Sequence, residues 1–329
     1  MKSSMELPGP VIIITGPTAS GKSACAMEFA STYDGEIICA DSMQIYKDMD
    51  IGTAKPSVQE MENIPHHLFD LVTPETVFSV ADYSEFVKPV IRDVLSRNKI
   101  PVLCGGTGQY ILSVMNNISY PELPFDSELR RKLEEKADLN DVSGIPGIVG
   151  LYKDLQVRDP EAASRIHSND RKRIIRALEV NILSGKSKSE LERSSLLKGP
   201  EFKFLAFCLS RDRRELYSSI NTRVDSMMSK GLLDEVISLR KKYPDLSRSA
   251  AQAIGYKELI SYLNGETDLE SAVEQIKQAT RNYAKRQLTW FRKTAGLEWL
   301  EDLTLHESVS TIRKTLNTHI EQQETHRQQ

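Results

Sequence analysis

Short apolar stretches alternate with amphipathic ones along the first third of the chain. Residues 10–15, 36–40 and 101–104 have the pattern of buried strands, whereas residues 23–33 and 80–97 have the spacing of helices. Strands that alternate with helices predict right-handed crossovers and a parallel sheet that binds ligands at the carboxyl ends of its strands. We therefore expect an α/β fold in which the polar or glycine-rich segments after these strands meet at one sheet edge.

A second pattern begins near residue 121. The strand-like runs stop, charge density rises, and helical stretches such as 128–137 and 171–183 dominate, which predicts an inserted helical domain over residues 121–199. Residues 204–209 have the pattern of another buried strand that returns to the sheet. The helices predicted after it cover residues 213–230, 232–242, 256–263 and 269–293.

The end of the chain has a weaker pattern. Apolar residues with helical spacing predict one weak surface helix; they are Val309, Ile312, Leu316 and Ile320. The polar composition of residues 322–329 predicts disorder. The expected domains are a core over 1–120 and 200–300, the insertion over 121–199, and the surface helix with its polar tail over 301–329.

Composition narrows the class of protein. The 329 residues are 40% hydrophobic and 27% charged, which is typical of a globular chain. No run approaches the ~20 apolar residues that span a bilayer, and the N-terminus lacks an apolar signal region, so we expect a soluble, cytoplasmic protein. The net charge of −3 means that any RNA surface must be local. The cysteines form no C-x-x-C pair and are expected to be buried; they are Cys25, Cys39, Cys104 and Cys208.

The segment after the first predicted strand carries the most specific motif. Residues 16–23 fit the pattern G-x-x-x-x-G-K-[ST] between a strand and a helix, the context of a phosphate-binding P-loop. Lys22 would add a positive charge, and the Ser23 hydroxyl could ligate Mg²⁺. We therefore expect a P-loop NTPase-like core with a parallel β-sheet flanked by helices, plus the inserted helical domain and C-terminal helices. The predicted phosphate contacts are Gly16, Pro17, Thr18, Ala19, Ser20, Gly21, Lys22 and Ser23.

Asp41 and Thr107 follow the other two predicted strands of the first third. Asp41 is a candidate helix N-cap, metal ligand or general base. Thr107 lies among Gly105, Gly106 and Gly108, where its hydroxyl could donate to a phosphate or leaving-group oxygen, although an ordinary glycine turn explains the same residues. The residues alone leave these alternatives open.

Positive charges are concentrated on two predicted helices. Arg171, Lys172, Arg173 and Arg176 form one cluster, and Lys277, Arg281, Lys285 and Arg286 form the other. In a chain of net negative charge these clusters indicate either a local RNA surface or a solvated helix face. Aromatic residues on the second helix are candidates for base stacking or for the core; they are Tyr283, Trp290 and Phe291. His66 and His67 lack a third ligand, so we expect structural hydrogen bonds on a loop or a place in the wall of the site.

Nine segments, taken in order, resemble the tRNA dimethylallyltransferases. They are residues 16–23, 41–46, 52–56, 66–68, 78–83, 105–110, 159–163, 252–258 and 281–292. Because no cysteine follows Cys208, the chain resembles the bacterial members, which lack the zinc finger of the eukaryotic ones. The resemblance implies transfer of a dimethylallyl group from dimethylallyl diphosphate to the exocyclic amine of the adenosine 3′ of the anticodon, with release of diphosphate.

The resemblance also implies residue roles. Asp41 becomes the general base on the adenine amine, Thr107 contacts the bridging or leaving oxygen, and Lys22 and Arg223 stabilise the departing diphosphate. Arg130 matches a family position near the mouth of the site. Mg²⁺ is the implied cofactor, held by Ser23. The residues implied to bind the tRNA anticodon stem-loop are Asp41, Ser42, Met43, Gln44, Thr107, Arg130, Arg171, Lys172, Arg173, Arg176, Gly255, Tyr256, Lys257, Arg281, Lys285, Arg286 and Gln287.

The sequence differs from the family pattern at one position, and three alternative functions are compatible with the motifs. Gln109 stands where many family members have an apolar residue. The alternatives are a small-molecule P-loop kinase, an adenylate isopentenyltransferase, and a nucleotide-gated RNA-binding module without chemistry. The basic helices argue against the first two, and the third leaves Asp41 and Thr107 without a role. We expect a monomer that does not bind membranes.

Overall fold

The computed structural model describes residues 9–61, 63–118, 120, 126–140, 144–196 and 199–328. The chain divides into two compact units. Unit 1 comprises Met1–Met115 and Glu201–Gln329, and unit 2 comprises Asn116–Pro200. In the part of the chain that is described, no helix is both long and apolar enough to cross a membrane.

Unit 1 is built on one parallel sheet. Its strands are β1 (Val11–Thr15), β2 (Gly35–Cys39), β3 (His66–His67), β4 (Ile100–Gly105), β5 (Phe204–Ser210) and β6 (Leu297–Glu301). Their order across the sheet is β3-β2-β4-β1-β5-β6, and every neighbouring pair is parallel. The carboxyl ends of β2, β4, β1 and β5 are therefore adjacent at one edge, so the segments that follow them are brought together.

Helices cover both faces of this sheet. Those of unit 1 are α1 (Lys22–Thr32), α2 (Val58–Met61), α3 (Val80–Ser96), α4 (Gly108–Met115), α10 (Arg213–Ser229), α11 (Leu232–Lys242), α12 (Arg248–Ala251), α13 (Tyr256–Leu263), α14 (Leu269–Phe291) and α15 (Leu305–Gln328). Side chains of β1 alternate between two apolar clusters: Val11 and Ile13 belong to one, and Ile12 and Ile14 to the other. This alternation confirms a strand that is buried on both faces.

Unit 2 consists of helices around its own core. They are α5 (Ser127–Asp138), α6 (Gly147–Arg158), α7 (Pro160–Arg165), α8 (Arg171–Ser184) and α9 (Lys188–Leu196). Leu151, Leu155 and Ile174 are fully buried in this core. Asp159 caps α7 by accepting from the Ala162 N–H, and its other carboxylate oxygen accepts from the Ser189 N–H at 3.0 Å, which joins α7 to α9.

The structure adds elements to unit 1 that the sequence patterns do not predict. β6 escapes prediction because it is a short edge strand of mixed polarity, and His66 and His67 form the two-residue β3 where a loop is expected. The expectation of disorder over 322–329 is wrong for residues 322–328, which continue α15, and residue 329 lies outside the described residues. This helix is also more than a surface element, since Val309, Ile312 and Leu316 are buried against the sheet.

Candidate active site

The segment between β1 and α1 has the geometry of an anion-binding loop. Gly16 has a φ of +146°, and a Cβ at this position would lie 2.5 Å from the Leu209 carbonyl oxygen, so only glycine fits. Gly21 precedes α1 without a side-chain cap, and the first turn of α1 contains no acidic residue. The N–H groups of this turn therefore remain available to an anion at the positive end of the helix dipole.

Two cations lie beside this loop. Lys22 Nζ is 3.3 Å from the Pro17 carbonyl oxygen, and Arg223 Nη1 is 3.4 Å from Thr18 Oγ1. Burial lowers the pKa of Lys22 and of Arg223, and the Arg223 charge lowers that of Lys22 further. Among the described residues neither cation is ion-paired with a carboxylate, and the buried Ser20 hydroxyl has no hydrogen-bond partner. A bound anion could therefore neutralise the positive charges at this loop and form hydrogen bonds with its unpaired polar groups.

Asp41 and Thr107 meet at the carboxyl ends of the neighbouring strands β2 and β4. Asp41 Oδ1 accepts a hydrogen bond from the Met43 N–H at 2.9 Å. Thr107 Oγ1 accepts from the Ser42 N–H at 2.9 Å and donates to Ser42 Oγ at 3.2 Å. Within the described chain Asp41 Oδ2 forms no hydrogen bond, so this oxygen is available to a proton. Asp41 also acts electrostatically on Lys22, which brings the carboxylate and the phosphate loop into one site.

Gln287 joins the phosphate loop to the glycine turn of Thr107. Its Oε1 accepts from the Thr18 N–H at 2.9 Å, and its Nε2 donates to the Gly106 carbonyl at 2.9 Å. A Cβ on Gly106 would lie 2.2 Å from this Nε2, so the turn needs glycine here. Gln287 is only 6% exposed, and its polar atoms are used inside the protein. Its contact with tRNA stays a prediction.

The loop after Asp41 is held by its own side chains. Gln44 Nε2 donates to the carbonyls of Thr53 and Ala54 at 3.0 and 3.2 Å. Met43 packs against the core of unit 1. Contacts of Ser42, Met43 and Gln44 with tRNA stay a prediction.

Gly255 and Tyr256 are buried, and their contact with tRNA stays a prediction. Tyr256 is 0% exposed, and its hydroxyl donates to Glu235 Oε1 at 2.6 Å. Tyr256 packs α13 against the loop of Gly52, where a Cβ would lie 2.5 Å from the Tyr256 ring. Lys257 lies next to them, is partly exposed and is 3.4 Å from Glu258.

The four cations of the α14 cluster differ in whether they are paired inside the protein or exposed to solvent. Lys277 is 15% exposed and pairs with Asp225 at 2.8 Å and with Glu274 at 3.0 Å. Arg281 Nη1 donates to Asn221 Oδ1 at 2.6 Å. Lys285 and Arg286 are exposed and have no carboxylate partner among the described residues. These last two are therefore the members of the cluster that are free to meet phosphate.

The basic residues of unit 2 divide in the same way. Arg130 pairs with Glu179 at 2.8 Å, and Arg171 pairs with Asp138 and donates to the Glu134 carbonyl, so both hold helices together. The more exposed members are Lys172, Arg173 and Arg176, of which the last two have nearby carboxylates at 3.4 Å. Binding of tRNA by this cluster, and a place for Arg130 at the mouth of the site, stay predictions.

The structure adds Arg211 to the site, and it shows structural roles for His67 and Phe291, for which the sequence allows more than one role. Arg211 follows β5, and its Nε lies 3.3 Å from the Ser20 carbonyl oxygen. Its place directly after a buried strand is the sequence signal that could have predicted Arg211 as a site residue.

His67 forms a structural hydrogen bond: its Nε2 lies 2.7 Å from Glu36 Oε2. Glu36 is at the amino end of β2, so this contact is away from the phosphate loop. Phe291 is a core residue at 1% exposed, whereas Tyr283 is partly exposed beside Thr107.

Comparisons with known proteins place the chain in one family. The family model described as IPP transferase matches residues 44–294. A tRNA dimethylallyltransferase of Halothermothrix orenii is 46% identical over 88% of this chain and 86% of its own length. That of Bacillus subtilis is 44% identical over 94% of this chain and 96% of its own length.

Solved structures show the same similarity. The full-length tRNA isopentenylpyrophosphate transferase of Bacillus halodurans has a TM-score of 0.70 and 36% identity, and the match covers 97% of this chain and 99% of that chain. A eukaryotic dimethylallyltransferase acting on tRNA has a TM-score of 0.73 and 30% identity over 91% of this chain and 75% of that chain. With a P-loop NTPase-like sheet and relatives that match it along nearly its whole length, this chain belongs to the tRNA dimethylallyltransferases, a family of prenyltransferases that act on tRNA.

Proposed function

We propose that this chain transfers a dimethylallyl group from dimethylallyl diphosphate to the exocyclic amine of the adenosine 3′ of the anticodon, with release of diphosphate. One observation carries the proposal: Lys22 and Arg223 are partly buried cations without a carboxylate partner among the described residues, and they lie beside the uncapped start of α1. An anion of high charge would satisfy all of these groups at once.

The diphosphate would be held by the loop of residues 16–23. Backbone N–H groups at the start of α1 and the Ser20 hydroxyl supply donors, while Lys22 and Arg223 supply charge. These groups are already fixed in the protein, so they would stabilise the negative charge that develops on the leaving diphosphate without reorganisation.

Asp41 would act on the attacking adenine amine, and Thr107 would act on the leaving diphosphate. The allylic C–O bond of the donor breaks as the adenine nitrogen forms the new C–N bond, and the nitrogen then loses a proton. Asp41 Oδ2 would accept that proton, and the Thr107 hydroxyl would donate a hydrogen bond to the bridging oxygen as it leaves.

Mg²⁺ fits the oxygen donors of this loop. Magnesium is commonly bound by one or two protein oxygens together with phosphate oxygens and water. Among the described residues no cluster of three or more His, Cys, Asp or Glu could hold a metal alone, so the Ser23 hydroxyl and the substrate would supply the ligands. When bound, the ion would neutralise diphosphate charge.

The tRNA substrate would meet exposed cations in both units. Lys285 and Arg286 on α14, and Lys172, Arg173 and Arg176 on α8, are candidates for phosphate contacts. The solved structure of a eukaryotic dimethylallyltransferase acting on tRNA, which resembles this chain, supports this choice of substrate. A cytoplasmic location follows from a tRNA substrate.

One assay separates this function from its alternatives. The purified chain is incubated with Mg²⁺, radiolabelled dimethylallyl diphosphate and either unmodified tRNA or AMP. We expect label in tRNA, no label in AMP, and no label in a tRNA whose adenosine 3′ of the anticodon is replaced by guanosine. Label in AMP would favour an adenylate isopentenyltransferase, and tRNA-stimulated ATP hydrolysis without prenyl transfer would favour a kinase-like function.

A further inference from the structure

Arg211 contacts the phosphate loop at the peptide group that joins Ser20 to Gly21. Its Nε donates a hydrogen bond to the Ser20 carbonyl oxygen at 3.3 Å. Its Nη2 is close to Gly21 as well, since a Cβ on that glycine would lie 3.3 Å from this nitrogen. The guanidinium therefore packs along this one peptide group.

The geometry of a peptide group links this contact to the anion-binding side of the loop. The peptide bonds of the described residues are trans, and a planar trans peptide directs its carbonyl oxygen and its N–H in opposite directions. Because Arg211 holds the Ser20 oxygen on one side, the Gly21 N–H points to the other. This N–H lies directly before α1 and has no hydrogen-bond partner among the residues that the structure describes, so a bound diphosphate could use it.

The backbone of the phosphate loop has a conformation that needs support. Ala19 has a φ of +64° and Gly21 a φ of +92°, both in the left-handed region. A residue with a side chain, such as Ala19, keeps this conformation only where the surrounding contacts hold it. Successive N–H groups form an anion-binding concavity only while each peptide keeps its orientation. A contact that fixes the peptide between Ser20 and Gly21 therefore helps to preform the site.

The backbone on both sides of Arg211 is itself fixed by Asp302. The Asp302 N–H donates to the Ser210 carbonyl at 3.1 Å, and Asp302 Oδ1 accepts from the Asp212 N–H at 2.6 Å. The Asp212 carboxylate caps α10 by accepting from the Arg214 N–H at 2.8 Å. Within the described chain neither carboxylate forms an ion pair with Arg211, so no carboxylate holds the guanidinium away from the loop.

We propose that Arg211 is a positioning residue for the diphosphate: it holds the Ser20 carbonyl and thereby directs the Gly21 N–H to the phosphate oxygens. The inference rests on the proposed function, in which this loop binds the diphosphate group of the donor. Arg211 acts through the backbone of the loop and does not touch the reacting atoms. Because the Gly21 N–H would meet the diphosphate both before and during transfer, loss of its orientation weakens binding without slowing the bound complex.

The test compares Arg211→Ala with the unchanged full-length chain. Isothermal titration with pyrophosphate and Mg²⁺ gives Kd, and steady-state prenyl transfer to tRNA gives kcat and KM. We expect the Kd for pyrophosphate and the KM for dimethylallyl diphosphate to rise about three- to tenfold, the size of one hydrogen bond, with kcat unchanged. The melting temperature of the ligand-free protein should also stay the same, because the Arg211 side chain is exposed. A merely structural contact would lower the melting temperature and leave Kd as it is.

Arg214→Ala is the matched control. Arg214 is exposed in the first turn of α10, and its side chain has no hydrogen bond or ion pair with any residue that is described. The change therefore removes the same charge three residues away without touching the loop, and it should leave Kd and KM unchanged. Equal increases in the two variants would mean that only the positive charge matters, which overturns the inference.

The amide of Gly21 offers a local measurement of the same effect. In a ¹H–¹⁵N correlation spectrum of the unchanged chain, pyrophosphate should shift the Gly21 signal, because the N–H gains a charged acceptor. The shift at saturating pyrophosphate should be smaller in Arg211→Ala and normal in Arg214→Ala. A Gly21 shift of the same size in all three proteins overturns the inference.

The outcomes distinguish this inference from the proposed function. Unchanged Kd and KM in Arg211→Ala, or a decrease in kcat at normal Kd, overturn the inference alone. If the unchanged chain binds pyrophosphate but does not prenylate tRNA, the proposed function fails, and the Kd of Arg211→Ala still decides the role of Arg211. If the unchanged chain does not bind pyrophosphate, both are overturned.

Discussion

The carboxylate of Glu235 on α11 accepts a hydrogen bond from the hydroxyl of Tyr256 on α13 at 2.6 Å. The same carboxylate accepts from the backbone N–H groups of Asp50, Ile51 and Gly52 at 3.1, 2.7 and 3.1 Å. One side chain therefore fastens two C-terminal helices to the loop that follows β2. This loop begins at Asp41, so Glu235 supports the site although it lies far from it in sequence.

Replacement of Glu235 by alanine should destabilise unit 1. The change leaves three backbone donors and one phenol without their acceptor, and we expect the free energy of unfolding to decrease by about 2–4 kcal/mol. Chemical denaturation of the full chain measures this. Glu321→Ala, at an exposed position of α15, is the control and should change stability by less than about 0.5 kcal/mol. Equal stability of the two variants would show that the carboxylate does not hold the loop.

Replacement of Asp41 by asparagine should slow the prenyl transfer without destabilising the fold. Asparagine keeps an oxygen for the Met43 N–H but cannot accept the proton of the adenine amine. We expect kcat to decrease by about 10²–10⁴ with little change in tRNA affinity or melting temperature. Near-normal turnover would remove Asp41 from the role of general base, and an unfolded variant would make its role structural.

Replacement of Lys285 and Arg286 by alanine should weaken tRNA binding. Both are exposed, and a cation that neutralises a phosphate releases counterions, so the plot of log K against log salt should flatten by about 0.7–0.9 for each phosphate that is no longer neutralised. Filter binding at several salt concentrations measures the slope. The matched control is Lys277→Ala on the same helix, which should have little effect because Lys277 already pairs with Asp225 and Glu274. Affinity of the double variant for dimethylallyl diphosphate should be unchanged.

Stability should depend on Glu36 at low pH. Hydrogen bonds from Arg97 lower the pKa of the buried Glu36 carboxyl to about 2, against an ordinary value of 4.5. Because the folded-state pKa is below the unfolded one, the stabilisation is full above about pH 4.5 and is lost as pH decreases to about 2. The difference in unfolding free energy between the unchanged chain and Glu36→Gln should therefore shrink over this range in acid denaturation. A difference independent of pH would contradict this.

Local patterns in the sequence determined most of the sheet and the presence of the phosphate loop. The runs around Val11, Ile37 and Val102 are apolar and short, and burial on both faces of a parallel sheet requires this pattern. The cysteines are buried as predicted, because apolar neighbours in a strand or helix accompany them into the core. The P-loop was readable because its glycines, lysine and serine act within eight consecutive residues.

Only the tertiary structure decided which side chains of α14 and α13 reach the site and which reach solvent. Lys277 and Lys285 have the same helical spacing, yet Lys277 is paired with Asp225 of α10 and Lys285 is exposed. Gln287 bridges two loops and Tyr256 fills the space left by Gly52, and the helical pattern alone indicates neither contact. The reason is physical: a helical period specifies a face of the helix, whereas the partner of that face comes from residues distant in sequence.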